Sequence, residues 1–191
     1  MIDTLLAHVR ELLNQNFKNQ YGFTDNKVVV SSLLDNSGAI PAELEDRVIC
    51  FLLSVEEETT LRNKSPRQSG GGSGFLDKSS PLFLNLHLVF CANFKSKNYL
   101  EGLNYISQIL SFFQHQKVMN PGSIPGMSKR VEKITFELCN LNYDNISQVW
   151  SAIGSKLLPS VIYKVGLVVF DDTPIKGITP AISSTGAENS N

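Results

Sequence analysis

Apolar residues recur at steps of three and four over the first twenty positions of the chain, which is the spacing of one helix face. The residues that share this face are Ile2, Leu5, Leu6, Val9, Leu12, Leu13 and Phe17. The pattern predicts an amphipathic helix over residues 2–20.

Two further helices are predicted from the same periodicity. The helix at residues 98–116 begins at Asn98, with Glu101 at capping-box spacing, and Asn145 with Gln148 repeats that spacing before a third helix. The predicted inward stripes are Leu100, Leu103, Ile106, Leu110 and Phe113, and then Ile146, Val149, Trp150, Ile153 and Leu157. Trp150, the only tryptophan, is predicted to anchor the third helix in the core.

Alternation of apolar and polar residues marks the strands. "KVVVSSLL" from Lys27 is a short strand, and "RVICFLLSVEEE", "PLFLNLHLVFCANF", "EKITFELC" and the segment from Val161 to Val169 are longer ones. In the second strand the predicted apolar face consists of Ile49, Phe51, Leu53 and Val55. The opposite sheet face is predicted to carry Asn85, His87, Thr135, Glu137 and Lys164.

The predicted element order is α-β-β-β-α-β-α-β. Alternating strands are typical of antiparallel sheets with one covered face. The fold class predicted is therefore α+β, a mostly antiparallel mixed sheet with flanking helices, in two layers.

The chain length of 191 residues suits one domain. We assign residues 1–172 to that domain, with a flexible loop at residues 62–80 that contains "SGGGSG". Residues 173–191 are predicted to be a mobile tail, because only three isoleucines lie among polar and small residues.

Composition excludes several classes of protein. A net charge of −1 argues against a nucleic-acid partner, which normally selects a basic excess. No apolar run approaches the roughly 20 residues of a membrane span, so no direct membrane insertion is expected. Met1 opens onto the amphipathic pattern without a signal peptide, which predicts synthesis in the cytoplasm.

Candidate chemistry is sparse. The glycines of residues 70–74 lead into a strand rather than a helix, so no phosphate loop or cofactor is predicted. The three histidines stand apart and match no metal-ligand spacing. His87 and Cys91, four apart on one strand, lie about 13 Å from each other, too far for a nucleophile and its base. Cys50, Cys91 and Cys139 are predicted to be small apolar residues in strands.

A family resemblance appears in "MIDTLLAHVRELLN", "PLFLNLHLVFCANF", "NYLEGLNYISQILSFFQ" and "ITFELCNLNYDNISQVWSAIGSKLLPSVIYKVGLVVFDD". These blocks resemble the cap, or tail-terminator, proteins of phage-tail-like contractile injection systems, over residues 1–172. The resemblance implies a non-enzymatic structural protein that forms a ring, expected to be a hexamer. Such a ring ends the inner tube and holds the last sheath layer, so the implied partners are copies of the chain, the tube protein and the sheath protein. It also implies assembly in the cytoplasm into a particle that is either released or anchored.

Two charge clusters offer contacts for such a ring, because a heterologous interface uses different patches on its two sides. The acidic cluster is Glu56, Glu57 and Glu58, and the basic residues are Arg62, Lys64, Arg67, Lys129 and Arg130. Two alternatives remain open. One is a small α+β enzyme or ligand-binding domain with a site around His87 and Glu137. The other is an adaptor that binds a peptide strand.

Overall fold

The computed structural model describes residues 1–22, 25–58, 68–70, 74–76, 82–169 and 178–180, with side chains undescribed at 21, 68–70, 74–76 and 178–180. Three α-helices lie in this part of the chain: α1 (Ile2–Tyr21), α2 (Tyr99–His115) and α3 (Tyr143–Ile153). The strands are β1 (Val28–Val30), β2 (Arg47–Glu57), β3 (Gln68–Gly70), β4 (Gly74–Leu76), β5 (Leu82–Asn93), β6 (Val118–Met119), β7 (Val131–Leu138), β8 (Ser160–Val169) and β9 (Ile178–Pro180).

Six strands form the main sheet in the order β1-β2-β5-β8-β7-β6. Only β1 and β2 are parallel, and the four other pairs are antiparallel. The predicted fold class, a mostly antiparallel mixed sheet with flanking helices, is confirmed. The predicted element order is also present, with the short strands β3, β4, β6 and β9 added to it.

A second sheet joins β3, β4 and β9 through antiparallel pairs. Its strands lie inside the segments that the sequence assigned to the loop at 62–80 and the tail at 173–191. All the other residues of those segments lie outside the described part of the chain, and the mobility of the two segments remains a prediction.

Helices α1 and α2 pack on one face of the main sheet, which we call the α1–α2 face. Its core is continuous from Leu5 and Val9 of α1, through Leu88 and Phe90 of β5, to Ile109 of α2. An aromatic group lies at the centre, where the rings of Phe113 and Phe136 stack with centroids 4.5 Å apart. This face therefore carries the larger core.

Helix α3 covers part of the opposite face, which we call the α3 face. Trp150 of α3 is 4% exposed and packs in a cluster with Ile49, Val89 and Ile162, as predicted for the core anchor. The prediction of two layers with one bare sheet face is therefore wrong. Strand residues such as Ile49 and Cys50 are both fully buried because helices lie on both sides of this end of the sheet.

Several local predictions differ from the structure. Asn142, not Asn145, caps α3, and its side chain accepts a hydrogen bond of 2.8 Å from the Asn145 N–H. The side chain of Asn98 makes no cap and instead donates to Asp46. Leu100 and Leu157 are 79% and 65% exposed. Leu100 lies in the first turn of α2, whereas Leu157 lies beyond the end of α3 at Ile153, in the segment that leads to β8.

Candidate functional site

The part of the α3 face beyond the Trp150 cluster carries a line of polar side chains across four strands. Strand register places Ser54 opposite His87, His87 opposite Lys164, and Lys164 opposite Glu137. We call these four residues the polar row. Paired residues of antiparallel strands share a face, so the row follows directly from the register.

A β-bulge in β2 puts Ser54 in this row. The register shifts between Leu52 and Ser54, so Ser54 shares a face with Ile49 despite the odd separation between their positions. Val55 then turns to the α1–α2 face, where it lies opposite Leu86. The predicted apolar face that included Val55 is wrong for this reason.

His87 contacts two side chains through the same ring nitrogen. The Ser54 Oγ lies 3.0 Å from His87 Nδ1, and the nearer Glu56 oxygen lies 3.8 Å from that atom. A serine–histidine–acid relay needs the serine and the acid on different nitrogens of the imidazole. The arrangement at His87 therefore holds the ring in place but does not form such a relay.

Lys164 and Glu137 form an ion pair at the other end of the row, with Nζ and Oε2 2.9 Å apart. The hydrogen bond that Lys164 donates to Glu137 raises the pKa of Lys164, so the ammonium form is favoured. The two side chains are 38% and 69% exposed, which leaves the pair well solvated. Solvated pairs of this kind contribute only about 0–1 kcal/mol to stability.

The structure brings His87 and Glu137 to one face but does not bring them together. Lys164 lies between them in the register, so their strands are two steps apart, about 10 Å at ordinary strand spacing. Glu137 is also engaged by that lysine. Among the described residues these two side chains make no acid–base pair.

A shallow groove of about 280 Å³ lies next to the polar row. Its floor is a second line of residues in register, Asn85, Gly166 and Thr135. A Cβ at position 166 would lie 2.7 Å from Thr135 Oγ1, so only glycine leaves room for that hydroxyl. Asn85 Nδ2 donates to Glu58 Oε2 over 3.2 Å.

The sequence predicted that the three cysteines behave as small apolar residues in strands. Two of them are buried accordingly, and Cys139 is partly buried. Cys50 and Cys91 are fully buried, and burial raises the pKa of the Cys91 thiol to about 12. Cys91 also packs in the Trp150 cluster, away from His87. Within the described part of the chain no three His, Cys, Asp or Glu side chains converge as a metal site.

The charged residues predicted for an interface fall on different edges. Glu56 and Glu57 end β2, with Glu58 directly after them, while Lys129 and Arg130 directly precede β7. Arg62, Lys64 and Arg67 lie outside the described residues. No described helix combines the length and apolarity needed to cross a bilayer.

The fold and this face together define an α+β domain whose polar and titratable side chains are dispersed across a sheet surface. The chain belongs to the Pvc16 N-terminal domain family, whose model matches residues 4–184. A search of curated proteins found no match to the sequence.

Two solved structures have a similar fold. One is the anti-feeding prophage cap, described as a tube terminating cap, with a TM-score of 0.55, 15% identity and 93% of this chain covered. The other is the sheath/tube terminator of the extracellular contractile injection system PVC in its extended state, with a TM-score of 0.54, 14% identity and 99% of this chain covered. The chain spans 59% and 65% of the length of those two proteins. The resemblance to the cap and tail-terminator family is confirmed.

Proposed function

We propose that this chain is a structural cap protein that terminates the inner tube of a contractile injection system and anchors the last layer of its sheath. The observation that carries this proposal is the fold shared with a tube terminating cap over 93% of the chain. The family match over residues 4–184 supports it independently of the structure comparison.

The cap acts as a closed ring of identical subunits, which we propose to be a hexamer. A terminator binds a tube end on one side and offers the next tube layer nothing to bind on the other. Heterologous contacts around a ring leave its two sides free to differ. The proposed contacts between subunits involve the acidic cluster Glu56–Glu58 and the basic residues Lys129 and Arg130, together with Arg62, Lys64 and Arg67.

The proposed partners are further copies of this chain, the tube protein and the sheath protein, without nucleic acid or membrane insertion. Assembly takes place in the cytoplasm, and the cap then remains part of an extracellular particle. We also propose that it acts without catalysis. The contacts of His87 support this, because Ser54 and Glu56 both approach Nδ1.

Deletion of the gene in the producing strain tests the proposal. Electron microscopy of purified particles should show tubes of uncontrolled length or sheaths that detach. Expression of the wild-type chain should restore uniform particles, and so should His87→Asn and Glu137→Gln chains. Particles of normal length with attached sheaths in the deletion strain would rule out a cap. If His87→Asn particles had normal length and attached sheaths but lost their biological activity, a binding or catalytic site at His87 would be indicated instead.

A further inference from the structure

A pocket opens at the border of the α1–α2 face, between the last turns of α2 and the strands β7 and β8. Its volume is about 400 Å³. The apolar side chains that line it are Leu110 and Phe113 of α2, Phe136 and Leu138 of β7, and Tyr163 of β8. We call it the aromatic pocket. A cavity of roughly 150 Å³ already accepts a benzene ring, so an aromatic side chain fits here.

The walls of the aromatic pocket are rings that the core holds in place. Phe113 and Phe136 stack with centroids 4.5 Å apart, and the Tyr163 ring lies 4.7 Å from that of Phe113. Each of the three side chains is at most 4% exposed. A ligand therefore meets preformed aromatic faces and edges, which favour another aromatic ring.

One hydroxyl group of the pocket has no partner among the described residues. Tyr163 lines the pocket, and no described residue forms a hydrogen bond with its hydroxyl. Burial raises the pKa of Tyr163 to about 12, so the hydroxyl keeps its proton at neutral pH. Buried hydroxyls normally have a hydrogen-bond partner. The ligand that suits this pocket is therefore an aromatic ring with a hydroxyl group of its own.

The chain itself carries an exposed group of this kind. Tyr143 is the first residue of α3 and is 92% exposed, more than any other large apolar side chain that the structure describes. The Asn142 cap fixes the start of the helix that carries it. Tyr143 does not line the aromatic pocket of its own chain. It is presented to neighbouring copies instead.

The charges beside the two features are opposite. Lys117 lines the pocket and is the only lysine, arginine, aspartate or glutamate between positions 102 and 128. Asp144 follows Tyr143 and is the only such residue between positions 138 and 155. Both side chains are exposed, and neither forms an ion pair with another described residue. Glu137, which also lines the pocket, is paired with Lys164.

The exposed tyrosine and the pocket belong to opposite faces of the sheet. Helix α3 packs on the α3 face, whereas α2 borders the pocket on the α1–α2 face. One copy can then insert its tyrosine into a second copy while its own pocket receives the tyrosine of a third. Head-to-tail contacts of this kind close into rings.

We propose that the aromatic pocket of each copy binds Tyr143 of a neighbouring copy. The inserted ring contacts Phe113 and Phe136, the two tyrosine hydroxyls form a hydrogen bond, and Asp144 pairs with Lys117 of the neighbour. The inference rests on the proposed assembly of copies into a ring, and it specifies one contact of that ring.

Truncation of the tyrosine tests the contact. Tyr143→Ala should raise the apparent dissociation constant of the oligomer at least about tenfold, because an aromatic anchor is lost from a buried site. Tyr99→Ala is the matched control, since Tyr99 is also the first residue of a helix and is 49% exposed. It should leave association unchanged. Sedimentation velocity over a concentration series measures both. Equal effects, or a chain that is monomeric at every concentration, would overturn the contact.

Charge exchange tests how the two copies are oriented. Asp144→Lys alone and Lys117→Asp alone should each weaken association about fivefold, because like charges then lie side by side. The two substitutions together should restore association to near the wild-type value. Lys18→Asp on the exposed side of α1 is the control and should not restore the Asp144→Lys chain. A double variant that stays as weak as the single variants would contradict the proposed pairing.

The two hydroxyls allow a double-mutant cycle. Tyr143→Phe and Tyr163→Phe should each weaken association about fivefold, and the double variant no further, because both remove the same hydrogen bond. Tyr163→Phe should not lower the free energy of unfolding of the free chain, where its hydroxyl has no described partner. Thermal unfolding checks this. Additive effects on association, or a loss of association that only follows a loss of stability, would exclude the hydrogen bond.

A small phenol tests the pocket directly. p-Cresol has the ring and hydroxyl of a tyrosine side chain, and in the Tyr143→Ala chain it should shift the amide NMR signals of Phe136 and Leu138. Toluene, which lacks the hydroxyl, should bind more weakly. p-Cresol should also dissociate the wild-type oligomer. Binding without dissociation would mean that Tyr143 is not the occupant. The particle lengths of the deletion strain decide the proposed function separately, so a failed contact leaves the cap standing.

Discussion

Asn14 is the one buried polar side chain among the described residues, and it explains how α1 is attached to the sheet. Its amide nitrogen donates to the Val28 carbonyl and its oxygen accepts from the Val28 N–H, both over 2.9 Å. The side chain thus pairs with β1 as a neighbouring strand would. One residue in the middle of α1 therefore joins this helix to a short parallel edge strand.

Asn14→Leu should lower the free energy of unfolding by at least about 2 kcal/mol, because two buried backbone groups lose their partners at about 1–3 kcal/mol each. Thermal and urea unfolding measure the change. Gln15→Leu, one position along on the exposed side of α1, is the control and should change stability by less than about 0.5 kcal/mol. Equal effects of the two substitutions would show that the Asn14 hydrogen bonds contribute nothing to stability.

Trp150→Ala should lower the free energy of unfolding by about 3–5 kcal/mol, since it removes a buried aromatic side chain from the cluster that covers part of the α3 face. Tyr143→Ala on the same helix removes an aromatic side chain that is 92% exposed and should change stability little. Urea denaturation of both variants makes the comparison. A Trp150→Ala chain with wild-type stability but weaker assembly would mean that Trp150 acts in binding.

At the scale of the element, α3 is specified mainly by its two ends. Asn142 satisfies the Asn145 N–H at the start, and Gly154 ends the helix in a left-handed conformation at φ 78°. Any other residue at position 154 would strain the backbone, while glycine adopts that conformation freely. Only Trp150 of this helix is fully buried, so its caps matter more than they would in α2.

Asn142→Ala should therefore destabilise the protein by about 1 kcal/mol, the usual cost of a lost helix cap. Asn145→Ala should be neutral or slightly stabilising, because Asn145 is exposed inside the helix, where alanine is the better helix former. Thermal unfolding of the pair separates the two positions. A larger loss of stability from Asn145→Ala than from Asn142→Ala would show that Asn145 caps the helix, as the sequence pattern predicts.

At the scale of the whole molecule, the two faces of the sheet differ in how firmly they are packed. The α1–α2 face holds the larger core, with residues from both helices and most strands. The α3 face has a smaller cluster and, beside it, the solvated polar row. Regions with few buried contacts open locally at lower free energy than the global transition.

Hydrogen exchange of the free chain should reflect this difference. Amides of α3 should exchange through a local opening, earlier than those of β5 and β8, the central strands of the sheet. Mass spectrometry of exchanged peptides resolves the three elements. Trp150→Ala should further accelerate the exchange of α3 amides, while the exchange rates of α1 and α2 amides stay close to wild type. Simultaneous exchange of all elements would indicate a single cooperative unit instead.

Much of this architecture was predictable because its causes are local. The apolar stripe of α1 and the alternation in β5 and β8 are short-range consequences of how side chains repeat along a helix or strand. The burial of Trp150 follows from the same stripe on α3. Even the polar side chains of the α3 face, among them His87 and Lys164, could be assigned to one face from alternation alone.

Only the tertiary structure decided how these elements meet, because strand order and register depend on contacts distant in sequence. The bulge in β2 places Ser54 beside His87, and nothing in the local pattern indicates it. Register also puts Lys164 between His87 and Glu137, and that separates the two residues that alternation had grouped. The coverage of both sheet faces depends on where α3 packs after its chain leaves β7.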